Sequence, residues 1–180
     1  MKRISIRLLI LMGVLASLII SCTPTCDPDY YTTITTPNNT SLSAIKRPCE
    51  SNSSTIQQNN QYVETTYPNA TRETDSSRQY NCHSYAWHNQ SHSNDIWINT
   101  PNQETYWNDG SYVYVDTTYG GTNSSSAANG ARVDYASDDH SAIKVSSSNF
   151  RSKWGQLPRM LHAPDYTPYN ENRLDFYEEN

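Results

Sequence analysis

The sequence predicts an α+β domain in which a helix packs on an antiparallel sheet. An apolar stripe over residues 85–87 follows Asn81, and asparagine is a common N-cap, so a short helix is expected there. Farther along, short runs rich in β-branched and aromatic residues alternate with turns rich in Ser, Asn, Asp and Gly. A helix followed by such a run of strands is typical of the α+β class.

The expected strands come after this helix. Residues 95–98 are predicted as a strand or loop, and the turn 108–110 is predicted to join residues 106–107 and 112–115 in a hairpin. Three more short strands are expected, separated by polar turns, at 131–136, 140–145 and 150–154. The order predicts an antiparallel meander.

Residues 1–21 have the features of an export signal. Lys2, Arg3 and Arg7 precede the apolar run 8–20, which is too short to span a bilayer. The run ends on Leu-Ile-Ile-Ser-Cys, which resembles a lipobox. The resemblance implies a bacterial lipoprotein, cleaved before Cys22 and held by a lipid on that cysteine at the outer membrane or cell surface. The alternative is an ordinary secretory signal, with Cys22 joining a disulfide.

Composition limits the partners and the organisation of the mature chain. Removal of residues 1–21 leaves 10 basic and 18 acidic residues, a formal charge of −8, so a nucleic-acid partner is not expected. Residues 22–77 are dominated by Ser, Thr, Asn, Gln and Pro, which predicts a largely disordered polar tether. A single domain over 78–170, a C-terminal tail over 171–180 that frays at 178–180, and a monomeric state are expected.

Three cysteines remain if Cys22 carries a lipid. An odd number in an oxidising compartment indicates one free thiol. Cys26 and Cys49 share the polar N-terminal stretch and could form a disulfide. Cys82 is then the candidate free thiol.

Cys82 lies where the predicted helix begins. A thiolate at that position is stabilised by the helix dipole and by unpaired backbone N–H groups, so a lowered thiol pKa is expected. A catalytic thiolate also needs a histidine and a group that orients it. His140 begins a predicted strand 58 residues later, and Ser152 lies at the matching place on the next strand.

The motifs Asn-Cys-His-Ser-Tyr-Ala at 81–86, Gly-Ala-Arg-Val-Asp-Tyr at 130–135 and His-Ser-Ala-Ile at 140–143 resemble the NlpC/P60 and CHAP group of papain-like hydrolases. The resemblance covers roughly residues 78–156. It implies a papain-like fold without a cofactor, Cys82 as nucleophile and His140 as base. Ser152 occupies the third position, with Gln156 as the alternative. The implied activity is hydrolysis of an amide bond, in cell-wall peptide or a similar substrate, by an endopeptidase or amidase.

Several alternatives stay open. Cys82 could be a packed thiol or a disulfide partner. A zinc site of Cys82, His83, His88 and His92 is not expected, because the adjacent Cys82 and His83 point in different directions on a helix. His162 is expected to be a packed or surface residue.

The aromatic residues offer another function. Trp87, Trp97, Trp107 and Trp154 are expected mainly to build the core, but they could also line a groove for a glycan or peptide. The rival to the hydrolase is therefore a non-catalytic binding module for a cell-envelope or extracellular ligand.

Overall fold

The computed structural model describes residues 26–122 and 124–180. Within them, ten strands form two antiparallel sheets. The strands are β1 (Tyr30–Thr35), β2 (Ser41–Lys46), β3 (Thr71–Arg72), β4 (Ile96–Trp97), β5 (Tyr112–Tyr119), β6 (Arg132–Tyr135), β7 (Ser141–Lys144), β8 (Phe150–Lys153), β9 (Arg159–His162) and β10 (Arg173–Glu179). The helical elements are α1 (Ser53–Thr66), a π-helical turn (Ser84–His88), a 3₁₀ turn (Asn102–Glu104) and α2 (Thr105–Asn108).

The two sheets differ in size and order. The small sheet has the order β1-β2-β4, and the large sheet has the order β3-β9-β8-β7-β6-β10-β5. Consecutive strands β6 to β9 are neighbours, as expected for a meander. The strands predicted at 131–136, 140–145 and 150–154 are confirmed as β6, β7 and β8.

The predicted α+β, papain-like arrangement of a cysteine-bearing helix on a sheet is wrong, because the described chain consists mostly of antiparallel sheet. Cys82 does begin a helical segment, but this segment covers only the seven residues 82–88, of which Ser84–His88 form the π-helical turn. Asn81 does cap this turn, since its side-chain oxygen accepts from the Ser84 N–H at 3.1 Å. The turn ends at His88, and the next residue, Asn89, has an extended backbone. The side-chain amide of Asn94 donates to the Asn89 carbonyl at 2.7 Å, which holds the chain in a loop at this point.

The disordered tether predicted over residues 22–77 is corrected for its described part. The β1–β2 hairpin and α1 occupy most of it. Leu42 and Ala44 alternate with exposed serines and are buried against the core, whereas Val63 is the buried residue of α1. Each of these apolar faces consists of one or two residues, so neither can be recognised in a sequence dominated by Ser, Thr and Asn. In the fold, both faces are nevertheless buried against the rest of the domain.

The prediction of a C-terminal tail over 171–180 that frays at 178–180 is also wrong. It forms β10, which pairs with β5 on one side and β6 on the other. Leu174 and Phe176 are fully buried on one face of this strand. The chain therefore closes its main sheet with its last residues, inserting them between two earlier strands.

Aromatic side chains build much of the core. Trp87 and Trp154 are buried, which confirms the core role expected for them, whereas Trp97 and Trp107 are partly exposed. The ring of Trp87 contacts those of Trp107, Tyr112 and Tyr177, with centroids 4.9, 5.3 and 5.6 Å away. The hairpin predicted around residues 108–110 is wrong, because the residues before the turn form α2 and direct Trp107 onto this aromatic cluster.

The predicted signal peptide, 1–21, and the lipidation site Cys22 lie outside the described residues. None of the helices in the described part of the chain is long and apolar enough to cross a membrane.

Cys26 and Cys49 form the disulfide that the sequence left as a possibility, and Cys82 is a free cysteine. The disulfide joins the residues just before β1 to those just after β2, and so closes the base of this hairpin.

Replacing both Cys26 and Cys49 by serine should lower the free energy of unfolding by about 3 kcal/mol, because the 23-residue separation limits the unfolded chain when the bridge is present. Urea unfolding monitored by fluorescence measures the change. Dithiothreitol should lower the stability of the wild type to the same level and leave the double variant unaffected. A wild type that is equally stable with and without the reductant would contradict the prediction.

Candidate active site around Cys82 and His140

The start of the π-helical turn meets the start of β7, as a paired cysteine and histidine would require. The thiol of Cys82 donates to the Asp139 carbonyl oxygen at 4.0 Å. The backbone N–H groups of Ser141 and His83 donate to its sulfur. The sulfur therefore lies against the backbone on both sides of His140.

His83 locks this junction through its imidazole ring. Its Nδ1 is 2.8 Å from the Ser141 hydroxyl, and its Nε2 is 2.8 Å from a carboxylate oxygen of Asp139. The Trp87 indole N–H donates to Ser141 Oγ at 2.9 Å, which leaves the hydroxyl proton of Ser141 free to bond His83 Nδ1. The proton on Nε2 is then donated to Asp139. One buried ring thus holds the residues immediately before and after His140.

Asp139 is ionised in this network. The hydrogen bond from His83 lowers the pKa of the Asp139 carboxyl to about 2, and a hydrogen bond from Thr100 acts in the same direction against partial burial. The carboxylate remains largely exposed, with 71 % of its side-chain surface accessible. It therefore connects the buried His83 ring to the protein surface.

His140 is fully buried and poorly satisfied. Its ring stacks on that of Tyr169, with centroids 3.6 Å apart and planes 8° apart, and meets the ring of Tyr135 edge-on at 4.7 Å. Among the residues that the structure describes, neither ring nitrogen of His140 has a hydrogen-bond partner, so the Cys82 thiol does not bond the imidazole in this conformation as a nucleophile paired with its base would; the Tyr135 hydroxyl also lacks a partner. Burial lowers the pKa of His140 well below its usual value, so the ring is neutral near pH 7.

Cys82 shares these neighbours. Burial raises the pKa of both Tyr135 and Tyr169, and a charge on Cys82 would raise each further, so the thiol is coupled electrostatically to the two rings that contact His140. We refer to Cys82, Tyr135, His140 and Tyr169 as the thiol site.

The resting thiol differs from the sequence-based expectation. Burial raises the pKa of Cys82 to about 12, and this effect outweighs the hydrogen bonds from the Ser141 and His83 N–H groups, which favour the thiolate. The expected lowering of the thiol pKa is therefore wrong for this conformation. The single π-helical turn has only a small dipole, and the sulfur is out of contact with water.

Ser152 and Gln156 do not orient His140. The Ser152 hydroxyl accepts from the Trp154 indole N–H at 2.9 Å and lies 2.8 Å from Nε2 of His162. Gln156 is exposed in the turn after β8. The structure therefore separates both candidate third members from the His140 ring.

His162 is a packed residue, as the sequence analysis allowed. Its Nδ1 donates to the Ala163 carbonyl at 2.8 Å, and burial lowers its pKa to about 4.

The four residues considered for zinc have separate partners. Beyond the His83 network, His88 Nδ1 lies 3.2 Å from the Tyr106 hydroxyl, and His92 Nε2 lies 3.4 Å from the Arg159 guanidinium. In residues 26–122 and 124–180, no three His, Cys, Asp or Glu side chains are grouped as a metal would require.

The His83–Asp139 hydrogen bond and the stacking of Tyr169 on His140 were not predicted from the sequence. A signal for the pair was available, because His83 directly follows Cys82 and Asp139 directly precedes His140. Two residues that adjoin the proposed site in sequence also adjoin each other in the fold. Nothing in the local pattern around Tyr169 indicates that it stacks on His140.

Replacing His83 by alanine should lower the free energy of unfolding by about 2 to 3 kcal/mol, since the change leaves a cavity and removes hydrogen bonds to Ser141 and Asp139. Chemical denaturation provides the measurement. His88→Ala is the matched control, with an expected loss below about 1 kcal/mol because His88 is only half-buried and makes one hydrogen bond at 3.2 Å. Equal losses in the two variants would refute a special role for His83.

Comparison of this chain with known proteins found no match. No family model matches it, and no curated protein or solved structure does so.

Proposed function

We propose that this chain is a cysteine hydrolase that cleaves an amide bond, with Cys82 as nucleophile and His140 as base. The observation that supports the proposal is the fully buried His140 ring, whose two nitrogens lack partners within the described residues, at a strand start whose backbone contacts the free thiol of Cys82. An unpaired buried polar group costs about 1 to 3 kcal/mol, and folded proteins contain few of them. Residues with such costs and strongly shifted pKa values are concentrated at functional sites.

The chemistry starts from a neutral thiol and a neutral imidazole. As the sulfur attacks the carbonyl carbon, its proton passes to His140, and the N–H groups of Ser141 and His83 stabilise the negative charge that develops on the sulfur. The imidazolium then protonates the leaving amine as the C–N bond breaks, which leaves a thioester on Cys82. His140 then takes a proton from water as the hydroxide attacks the thioester carbonyl; the C–S bond breaks, the imidazolium returns the proton to the Cys82 thiolate, and the acid product leaves.

Substrate can reach the thiol site only if its cover moves. Tyr169 lies on the segment between β9 and β10 and stacks flat on His140. The next residue, Asn170, donates its backbone N–H to the Asp138 carboxylate at 2.8 Å. Displacing this segment would expose the ring of His140 and hydrate Cys82, and hydration of a buried thiol lowers its pKa toward the ordinary range.

The location and substrate class also belong to the proposal. The N-terminal pattern supports lipid attachment at Cys22 and a place in the cell envelope, and the disulfide between Cys26 and Cys49 is typical of exported proteins. A monomer at the outer membrane or cell surface would encounter peptidoglycan stem peptides or other peptide-like amides.

Cys22→Ala should release the protein from the membrane fraction, because no other cysteine follows an apolar run and a small residue. Fractionation and the intact mass of the N-terminal peptide measure the outcome. Cys26→Ala is the matched control and should remain membrane-bound. If the Cys22 variant stayed with the membrane and the wild-type peptide carried no diacylglyceryl mass, the lipoprotein assignment would be lost.

The activity itself is tested by incubating the mature chain with purified muropeptides and with simple peptide amides. Mass spectrometry should find products that correspond to one cleaved amide bond plus water. Prior treatment with a membrane-permeant alkylating agent under mild urea, followed by refolding, should block Cys82 and stop cleavage. Unchanged cleavage by protein shown to be alkylated at Cys82 would eliminate the proposal.

A further inference from the structure

A groove with aromatic walls lies between β5, β10 and α2, and its volume is about 410 Å³. The side chains that matter here are those of Trp107, Tyr112, Tyr114, Arg173, Asp175 and Tyr177, and we call this set the aromatic groove. None of these residues belongs to the thiol site. The volume lies within the range of about 300 to 1,000 Å³ that is typical of small-molecule sites.

The aromatic rings are fixed in place before any ligand binds. The rings of Trp107 and Tyr177 are stacked, with centroids 5.0 Å apart and planes at 24°. Tyr114 meets Tyr177 edge-on at 5.9 Å, and its hydroxyl lies 2.9 Å from that of Thr117. Tyr114 nevertheless leaves 58 % of its surface accessible. The groove therefore presents an apolar ring surface to solvent with little conformational freedom left to lose on binding.

An ion pair supplies the polar part of the groove. The Arg173 guanidinium bonds both carboxylate oxygens of Asp175, at 3.0 and 2.9 Å, and Thr117 also donates to this carboxylate at 2.6 Å. Asp175 is nearly buried, with 8 % of its side chain exposed, whereas 51 % of the Arg173 side chain is accessible. The two charges cancel, but the guanidinium retains N–H groups that can donate to a ligand.

We propose that the aromatic groove binds a neutral sugar ring of a glycan. A hexose ring presents C–H groups that can pack on Tyr114 and Tyr177, and hydroxyls that can accept from Arg173. A charged ligand has no unpaired countercharge in this groove, because Arg173 and Asp175 neutralise each other. A sugar also suits a site that combines rigid rings with few polar groups. The groove would hold the chain on a polysaccharide whether or not the thiol site is active.

The test is calorimetric titration of the mature chain with chitotetraose and with cellotetraose, both of which are neutral. Saturable binding of at least one is expected, and Tyr114→Ala should weaken it by about tenfold or more because the exposed ring face is lost. Tyr119→Ala is the matched control. Tyr119 is on the same strand and 66 % exposed, but it does not line the groove, so its removal should leave the affinity unchanged.

Further variants separate this inference from the hydrolase proposal. Arg173→Gln should weaken binding, whereas Cys82→Ser should leave it unchanged even if amide hydrolysis disappears. The inference is overturned if neither oligosaccharide binds at concentrations up to about 10 mM, where an affinity of that order still gives measurable heat. It is equally overturned if Tyr114→Ala and Tyr119→Ala have the same effect, or if a short peptide binds in the groove and the sugars do not.

Discussion

Cys82→Ser and His140→Gln should each lower amide hydrolysis by at least about a thousandfold, because nucleophile and base act in the same step. The double variant should be scarcely worse than either single variant, since removal of one partner leaves the other without a role. Initial rates on the best muropeptide substrate measure the effect. Both residues are buried, so circular dichroism and a thermal midpoint must accompany each rate to count folded protein.

Ser152→Ala provides the control for this series. Its hydroxyl bonds His162 and Trp154 and not His140, so the variant should lose stability but retain activity per folded molecule. Activity that persists in folded Cys82→Ser or His140→Gln would remove the catalytic pair. A large loss in folded Ser152→Ala would show that Ser152 acts on the site in a way that its contacts do not explain.

The second large effect concerns acid. Burial lowers the pKa of His140, and it lowers that of His162 to about 4, whereas both side chains take up a proton near pH 6.5 in the unfolded chain. Between about pH 6.5 and 4 the unfolded state therefore binds more protons at these positions, and the free energy of unfolding falls as the pH falls. Each histidine contributes up to about 1.4 kcal/mol per pH unit in this range.

One buried carboxyl opposes this trend. Burial, followed by the neighbouring Asp175, raises the pKa of Asp134 to about 7, so between about pH 7 and 3.8 the folded state holds a proton that the unfolded state has released. Asp134 thus stabilises the fold as the pH falls. Its contribution to the free energy of unfolding offsets the destabilising contribution of about one of the two histidines. The net expectation is a loss of about 1.4 kcal/mol per pH unit over this window.

Urea unfolding at a series of pH values measures the slope. His162→Gln should flatten this slope, because the proton uptake of His140 in the unfolded chain is then offset by that of Asp134 in the folded protein. Asp134→Asn should make the slope steeper, because it removes this offset. A stability that is level between pH 6.5 and 4.5 in the wild type would mean that His140 or His162 is protonated in the folded protein.

The central part of the fold could be predicted because its signals are local. The turns at residues 137–139 and 146–149 separate short apolar runs, and β6, β7 and β8 form where these runs lie. The meeting of Cys82 with the start of β7 also agrees with the order of the motifs. The three strands depend on residues that are close in sequence, whereas Cys82 and Asp139 are 57 residues apart.

The remaining elements depend on distant partners. β10 lies between β5 and β6, so its place is set by residues about 40 to 70 positions earlier in the chain. In the β1–β2 hairpin, the buried Leu42 and Ala44 alternate with exposed serines. Their apolar face is small, and it is buried by packing against the aromatic core around Trp87. Short polar strands of this kind have no independent stability, so the sequence around them resembles a disordered segment.

The candidate site shows the same division. The approach of Cys82 to the start of β7 could be predicted from spacing, but the burial of Cys82 and His140 and the lack of a hydrogen bond between them could not. Tyr169 covers His140 from a segment 29 residues later, and this contact helps to produce a neutral thiol site in place of the expected thiolate. Ser152 was predicted as the third catalytic residue because it occupies the position on β8 that matches His140 on the preceding strand. In the fold, β9 brings His162 to the Ser152 hydroxyl instead.

The most direct test of the hydrolase is the mass of the Cys82 peptide after rapid acid quenching of a reaction with excess muropeptide. We expect a peptide that carries the acyl part of the substrate as a thioester, absent in Cys82→Ser and removed from the wild type by hydroxylamine. Substrate cleavage with Cys82 unmodified at every quench time, and with undiminished rate in folded Cys82→Ser, would contradict it.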